Sequence, residues 1–197
     1  MIFAGIDPGL DGGIAFINDN DLILSKTPVI GGRDYDVQEM KRLLTHHPML
    51  GSGMFVIIEN QISMPGQGLS STLQTGKGFG IWLGLLAGLE ISFQVVSAKQ
   101  WQGKLFTGVS AKLDTKEKSE IIAKRLFPRA DFRRSERARV ANDGLTDAAC
   151  IAEYARRIYT KDELDGPYIE HTPLISAPEI CQKCGKYIPG DTIGCRK

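Results

Sequence analysis

The sequence lacks the features that mark membrane, secreted and strongly polyionic proteins. Its 197 residues contain no apolar run near the roughly 20 residues that a membrane-spanning helix needs. The first residues enter a strand-like pattern without the charged and apolar regions of a signal peptide, so we expect a soluble, intracellular protein. With 24 Lys and Arg against 23 Asp and Glu, the net charge of +1 does not by itself indicate a polyanionic partner.

Cysteine is also scarce, and its distribution argues against a disulfide framework. Three of the four cysteines lie in the last stretch, where Cys181 and Cys184 form a CxxC pair and Cys195 follows. This arrangement is similar to part of a zinc ribbon that lacks a fourth ligand, and His171 is the candidate to complete it. The alternative is a set of free, reduced cysteines. Cys150, among alanines, is predicted to pack inside a helix.

Strand and helix patterns alternate over the first 158 residues. The predicted strands are residues 2–6, GGIAFIN, LILSKTPVI, MFVIIEN and ISFQVVSAKQW. The predicted helices are residues 36–45, the glycine-rich segment MPGQGLSSTLQTGKGFGIWLGLLAGL, residues 115–126 and residues 144–157. The first three strands are predicted to be antiparallel, and the order β-β-β-α-β-α-β-α-α predicts an α/β fold with a mixed sheet flanked by helices.

The composition changes beyond Tyr159 toward proline, glycine and charged residues. We therefore predict a main domain at residues 1–158, a linker at residues 159–178 and a small cysteine-containing tail at residues 179–197. The tail is the possible zinc knuckle.

Four carboxylates lie directly against sequence that is predicted to be buried. Asp7 follows the first strand in GIDPGLDGG, Glu59 closes MFVIIEN, and Asp143 and Asp147 lie four residues apart at a helix start. That spacing projects Asp143 and Asp147 from one helix face, where like charges repel unless a cation lies between them. Oxygen ligands from separate segments suit Mg²⁺ or Mn²⁺, and two such ions can support phosphodiester cleavage.

Each carboxylate also has a purely structural explanation. Asp7 could cap its turn, Glu59 could lie in a buried ion pair, and Asp143 could cap its helix. The segment DPGLDGG is also similar to the phosphate-binding hairpin of sugar kinases and related ATPases, which normally need a second hairpin and a longer chain.

Positive charge is concentrated in one segment. Between Lys112 and Arg139 there are ten Lys or Arg against five Asp or Glu. The local excess suits contacts with phosphates. A solvated helix face is the alternative explanation.

The ordered segments resemble one known family. GIDPGLDGGIAF, VIIEN, KGFGIWLGLLAGLEISFQVVSAKQW, TKEKSEIIAKRLFP and DGLTDAACIAEYARR follow one another as in RuvC-like Holliday junction resolvases. The resemblance covers about residues 1–158 and implies an RNase H-like fold with a five-stranded sheet. It also implies that Asp7, Glu59 and Asp147 are metal ligands.

Asp143 is the fourth ligand that the resemblance implies, with a departure from the bacterial pattern. In that pattern the last two acids lie three residues apart, whereas here the corresponding position is Gly144. The D-G-x-x-acid arrangement resembles the phage, viral and chloroplast branches of the family.

The resemblance implies a Mg²⁺- or Mn²⁺-dependent crossover junction endodeoxyribonuclease. Such an enzyme would act as a homodimer, with two metal ions per active site, and would resolve four-way DNA junctions by paired symmetric nicks. No membrane and no small-molecule cofactor are implied, and the setting would be the cytoplasm of a bacterium or a phage-infected host. Trp82 is a candidate for the dimer interface or for the core. The alternatives are an RNase H-like nuclease acting on flaps or hybrids, and a non-catalytic junction-binding module.

The family also has a catalytic lysine and DNA contacts in defined regions. Alignment on EKS points to Lys118, and alignment on the distance to LFP points to Lys116, so both remain candidates. The loop SMPGQG matches the place where resolvases insert side chains into the junction. The candidate DNA contacts are Met64, Gln67, Lys77, Lys112, Arg133 and Arg134.

Overall fold

The computed structural model describes residues 1–19, 21–46, 53–61, 68–165, 179–180 and 187–188, with side chains described through residue 159. Its strands are β1 (Ile2–Asp7), β2 (Gly13–Asn18), β3 (Asp21–Lys26), β4 (Val29–Ile30), β5 (Asp34–Tyr35), β6 (Met54–Glu59), β7 (Ser92–Val96), β8 (Glu179–Ile180) and β9 (Tyr187–Ile188). Its helices are α1 (Val37–Thr45), α2 (Leu69–Gly88), α3 (Ala98–Leu105), α4 (Thr115–Leu126) and α5 (Asp143–Asp165).

The predicted five-stranded mixed sheet is confirmed. Its strand order is β3-β2-β1-β6-β7, in which β1 is antiparallel to β2 and parallel to β6, and β7 is parallel to β6. The strands β4 and β5 form a separate small hairpin. The two parallel pairs bring the carboxyl ends of β1, β6 and β7 to one edge of the sheet.

Alternation along the strands divides the apolar side chains between two layers. Phe3, Phe55 and Ile57 belong to the layer that contains residues of α4 and α5. Ile2 and Val56, which point the other way, belong to the layer that contains residues of α1 and α2. This alternation decides which helices the side chain at each strand end faces.

Gly5 lets helix α5 lie directly on β1. A Cβ at Gly5 would come closer than 3.0 Å to backbone atoms of Ala148 and Ala152, so any larger residue would push the helix away. The buried alanines on α5 serve the same close contact. The small residues of DAACIA therefore set the distance between the helix and the first strand.

The predicted C-terminal ends of two strands are wrong. The segment ISFQVVSAKQW leaves the sheet at Val96, because Ser97 and Gln100 form a capping box that starts α3. LILSKTPVI ends as a sheet strand at Lys26, and Pro28, which has no N–H to donate, separates it from β4. The helix α4 confirms the prediction for residues 115–126, and its capping box pairs Asp114 with Glu117.

The chain divides into two compact units, residues 1–161 and 162–197. In the second unit, β8 and β9 pair in an antiparallel arrangement. The cysteines of the predicted zinc knuckle and its candidate fourth ligand lie outside the described residues: Cys181, Cys184, Cys195 and His171. Within the described ranges, no helix is long and apolar enough to cross a bilayer.

Candidate active site

Strand register brings Asp7 and Glu59 together. Ile6 pairs with Ile58 in the parallel β1–β6 ladder, so the two acids that follow lie side by side at the ends of neighbouring strands, about 4.8 Å apart in the sheet. Both acids continue the alternate positions that face α5. Neither is fully buried, because each lies at the rim where its strand ends.

Helix α5 supplies the other two carboxylates. Its start lies beside the turn after β1, and Asn142 caps it by accepting a hydrogen bond from the Leu145 N–H at 3.0 Å. Asp143 is thus the first helical residue and not the cap. Asp147, one turn further on, is partly buried and lies close enough to Asp7 and Glu59 to interact with both electrostatically.

Burial and mutual repulsion raise the pKa values of these acids. Burial, together with the charges of Asp147 and Glu59, raises the pKa of Asp7 to about 7. Burial and the charges of Glu59 and Asp143 raise the pKa of Asp147 to about 6, although a hydrogen bond from Ser119 opposes the rise. Burial also raises the pKa of Glu59. The cluster thus concentrates negative charge that a cation would stabilise.

Glu59 is held by an indole and not by a cation. The Trp101 Nε1–H donates a hydrogen bond to Glu59 Oε2 at 2.7 Å, and Trp101 is fully buried in the core. Among the described residues Glu59 has no ion-pair partner, which argues against the buried ion pair considered as its structural explanation. The bond fixes one carboxylate oxygen.

Lys116 is the lysine that faces the cluster. Its Nζ lies 2.5 Å from Asp143 Oδ2, and the Asp143 carboxylate raises the pKa of Lys116. Lys116 lies three residues before Ser119, the buried residue that reaches Asp147, so both project from one face of α4. Lys118 lies about 200° around the helix from Lys116, on another face.

Gly144 is required by the contact between α5 and the turn after β1. A Cβ at this position would come closer than 3.0 Å to the Asp11 carbonyl oxygen and to backbone atoms of Gly12. An acid at residue 144 would force the helix away from the turn. The departure from the bacterial spacing therefore has a steric cause in this chain.

The carboxylates do not form a closed metal cage in this conformation. Across the ranges that the structure describes, no three His, Cys, Asp or Glu side chains stand in a metal-holding arrangement. Asp143 is turned toward Lys116, and Glu59 toward Trp101. The donor set nevertheless fits Mg²⁺ or Mn²⁺, because four carboxylates supply hard oxygen ligands and a rotation of exposed Asp143 would bring it inward.

The predicted DNA contacts lie at several places on the surface. Lys77 pairs with Asp34 at 2.5 Å, and Arg134 pairs with Asp11 at 3.1 Å. Arg133 pairs with Asp131, whose pKa falls to about 2 through that contact. Lys112 is exposed in the segment before α4. Met64 and Gln67 lie outside the described residues.

Sequence reasoning missed the residues that position the carboxylates. The sequence pattern predicts a strand at Trp101, whereas the S-x-x-Q capping box at Ser97 starts a helix there. Ser119 gives no sequence signal beyond its spacing of three from Lys116. Asn142 precedes the acid pair and is a favoured helix cap, a pattern from which its role could have been predicted.

Comparison with solved structures identifies the fold. The chain is similar to RuvC of Thermus thermophilus in complex with a Holliday junction substrate, with 16% identity, a TM-score of 0.53, and coverage of 82% of this chain and 96% of that chain. A second RuvC structure from Thermus thermophilus has 19% identity, a TM-score of 0.53 and coverage of 83% and 97%. The yeast mitochondrial Holliday junction resolvase Ydc2 has 15% identity, a TM-score of 0.54 and coverage of 82% and 80%.

These likenesses define a RuvC-like, RNase H-like fold, as the sequence predicts. No protein-family model and no curated protein matches the chain in sequence.

Proposed function

We propose that this protein is a metal-dependent endonuclease that resolves four-way DNA junctions. The observation that carries the proposal is the meeting of four carboxylates from three separate elements at one edge of the sheet, with Lys116 beside them. The RuvC-like fold supports a four-way DNA junction as the substrate, because the similar proteins are named for binding or resolving Holliday junctions.

The four carboxylates would hold two Mg²⁺ or Mn²⁺ ions. When bound, the ions would activate a water and stabilise the leaving oxygen in an in-line displacement. Trp101 fixes the orientation of Glu59, and Ser119 that of Asp147, so two of the ligands are held before metal arrives. Asp7 is placed by its strand end and by the close contact of β1 with α5.

Lys116 is the residue that we assign to transition-state stabilisation. Its ammonium group lies beside Asp143, and its charge lowers the pKa of Asp147. If Asp143 held a bound cation, the Lys116 ammonium group would be free to contact the substrate phosphate. A positive charge there stabilises the negative charge that develops on the phosphoryl oxygens.

A substrate panel tests the proposal. We expect the protein to nick a synthetic four-way junction in Mg²⁺, with paired nicks at symmetric positions, and to leave it intact in EDTA. Single strands, linear duplexes, flaps and RNA–DNA hybrids of the same sequence serve as controls. Preferential cleavage of flaps or hybrids would favour the second candidate, a nuclease with the same chemistry and another substrate. Junction binding without Mg²⁺-dependent cutting would contradict a nuclease.

We further propose that two copies associate through the outer face of α2. Gly76, Gly80, Gly84 and Gly88 repeat every four residues, and an added Cβ at any of them meets nothing within 4 Å. Leu69 and Leu73, which are 91% and 73% exposed, continue this apolar face. Trp82 lies on the opposite side and is fully buried in the core, so it is not available to the proposed interface. Two symmetric nicks require two active sites, which a two-fold dimer supplies.

Gly80→Leu should dissociate this dimer without unfolding the chain. The side chain would enter open space in a monomer and improve helix propensity, whereas in a close helix pair it would weaken association by roughly ten- to a hundredfold. Sedimentation velocity and thermal melting measure the two effects. Gly103→Leu on α3, where an added Cβ also meets nothing within 4 Å, is the matched control. A monomeric wild-type protein, or equal effects of both variants, would contradict this interface.

A further inference from the structure

A tyrosine hydroxyl lies next to the turn that carries Asp7. Tyr35, on β5, is 4% exposed and belongs to the apolar layer that contains residues of α1 and α2. Its hydroxyl oxygen lies 3.5 Å from the Pro8 carbonyl oxygen and 3.1 Å from the Gln74 carbonyl oxygen. The hydroxyl therefore contacts both the turn after β1 and helix α2.

The Pro8 carbonyl depends on this hydroxyl more than the Gln74 carbonyl does. Gln74 lies within α2, where each carbonyl accepts the N–H of the residue four positions later, here Gly78. Pro8 is buried, and in the part of the chain that the structure describes Tyr35 is the one donor within hydrogen-bond distance of its carbonyl. The single hydroxyl hydrogen is shared between the two carbonyls, which accounts for the length of the Pro8 contact. Without Tyr35 the Pro8 carbonyl would be buried and unpaired, at a cost in free energy.

The Pro8 carbonyl and the Gly9 N–H belong to one peptide group. A trans peptide is planar, so its carbonyl oxygen and its N–H point in opposite directions. On the side away from Tyr35, the Gly9 N–H lies 3.5 Å from Asp7 Oδ1. Burial and neighbouring charges raise the pKa of Asp7, and this contact opposes the rise. The Tyr35 hydroxyl thus reaches the Asp7 carboxylate through a single rigid unit, whose two hydrogen bonds polarise each other.

The surroundings of Tyr35 keep its hydroxyl protonated and in place. Burial, with the charges of Asp7 and Asp34, raises the pKa of Tyr35 to about 12, so the hydroxyl is a donor at neutral pH. Helix α2 closes over the contact because residue 78 is glycine. A Cβ at Gly78 would come closer than 3.0 Å to the Tyr35 hydroxyl and to the Pro8 carbonyl oxygen, so a larger residue would displace one of the two groups.

We propose that Tyr35 is a positioning residue for the metal centre, and that its hydroxyl orients the Asp7 carboxylate through the Pro8–Gly9 peptide. The proposal rests on the function proposed above, because Asp7 is a ligand of the same site. The indole and the serine hydroxyl described above hold two other ligands directly, whereas Tyr35 acts through the backbone. Partners that orient a metal ligand typically change metal affinity by about 10- to 100-fold.

Tyr35→Phe should weaken the binding of Mn²⁺ about tenfold, because it removes the hydroxyl and keeps the ring in the core. Isothermal titration calorimetry at pH 8 without DNA gives the affinity, so the measurement does not depend on cleavage. The rise in melting temperature on addition of Mn²⁺ should shrink in parallel. Once Mn²⁺ saturates the variant, its single-turnover rate of junction cleavage should return close to that of wild type, because the hydroxyl does not touch the reacting atoms.

Asp34→Asn is the matched control for a loosened hairpin. Asp34 lies beside Tyr35 on β5 and attaches the hairpin to α2 through its ion pair with Lys77. The substitution weakens this attachment and leaves the tyrosine hydroxyl in place, so the affinity for Mn²⁺ should equal that of wild type. A second attachment remains in both variants, since Gln74 Nε2 donates to the Arg33 carbonyl at 2.6 Å.

Two results would overturn the proposal. If Tyr35→Phe binds Mn²⁺ with wild-type affinity, and only melts at a lower temperature in EDTA, the hydroxyl contributes to stability alone. If Asp34→Asn weakens Mn²⁺ binding as much as Tyr35→Phe does, the attachment of the hairpin and not the hydroxyl sets the orientation of Asp7.

Junction cleavage by wild type separates this proposal from the proposed function. Cleavage by wild type, with wild-type Mn²⁺ affinity in Tyr35→Phe, would leave the nuclease standing and remove the positioning role. Weaker Mn²⁺ binding in Tyr35→Phe, without junction cleavage by wild type, would support the positioning role and remove the junction as substrate. If wild type binds no divalent cation, both proposals fail.

Discussion

Asp7→Asn should lower the rate of junction cleavage by at least about a thousandfold while junction binding persists, because metal ions contribute several kcal/mol to such a transition state. The amide keeps the size of the side chain but cannot supply an anionic ligand between β1 and α5. Single-turnover cleavage in saturating Mg²⁺, with binding measured separately in EDTA, gives the two quantities. Asp19→Asn is the matched control, since Asp19 lies in an exposed turn with φ of 51°, a conformation that Asn tolerates.

The same variant should be more stable than wild type when metal is absent. The pKa of Asp7 is about 7 in the folded protein against an ordinary value of 3.8, so the unfolded chain releases this proton at lower pH. The contribution of Asp7 to stability therefore falls as pH rises from about 4 to about 7 and stays low above that. At pH 8 in EDTA we expect Asp7→Asn to raise the free energy of unfolding by up to about 4 kcal/mol, because each pKa unit corresponds to about 1.4 kcal/mol.

Urea titrations at pH 4 and pH 8 check this sign, and the gain should vanish at pH 4. Added Mg²⁺ should stabilise wild type more than Asp7→Asn, because binding to the folded state adds to stability. Cleavage that survives in Asp7→Asn would remove the metal-centre interpretation. A loss of stability at pH 8 would instead show that the Asp7 carboxylate stabilises the turn after β1.

Lys116→Met should lower kcat by about a hundred- to a thousandfold, which is the range for loss of one preorganised group that stabilises transition-state charge. Lys118→Met, two residues away on the same helix, should change kcat little. The helix geometry gives the reason, because Lys116 shares a face with Ser119 and contacts Asp143. Methionine keeps the length of the side chain and its helix propensity.

A second measurement separates catalysis from metal binding. Lys116→Met removes a cation beside the carboxylates, so the Mg²⁺ concentration that gives half-maximal rate should stay the same or fall. A variant that merely disturbed the site would need more Mg²⁺. Lys118→Met with the larger loss of kcat would reverse the assignment of the two lysines, and equal small effects would remove the catalytic role from both.

The sequence was sufficient to predict most strands and helices, because the spacing of apolar residues along the chain follows from which side chains are buried. The apolar runs before Asp7 and Glu59 predict strands that the structure contains, and their alternation decides which face each acid shares. Both ends of α4 (Thr115–Leu126) are marked in the sequence. Asp114 caps its start, and Pro128 follows its end. The sequence pattern gave a wrong prediction for the end of the segment ISFQVVSAKQW, where β-branched residues favour a strand but the cap at Ser97 starts a helix.

Only the tertiary structure decided which side chains meet. Which lysine faces the acids depends on the rotation of α4 against α5, and that rotation follows from the packing of buried Ser119 and Ala123. The hydrogen bond from Trp101 to Glu59 joins residues 42 positions apart, a separation for which local pattern carries no information. The sequence determined that Asp7 and Glu59 end buried strands and that Asp143 and Asp147 share a helix face. Their meeting at one edge depends on strand pairing and on the glycines at residues 5 and 144, because chain contacts over such distances are fixed by packing and not by local periodicity.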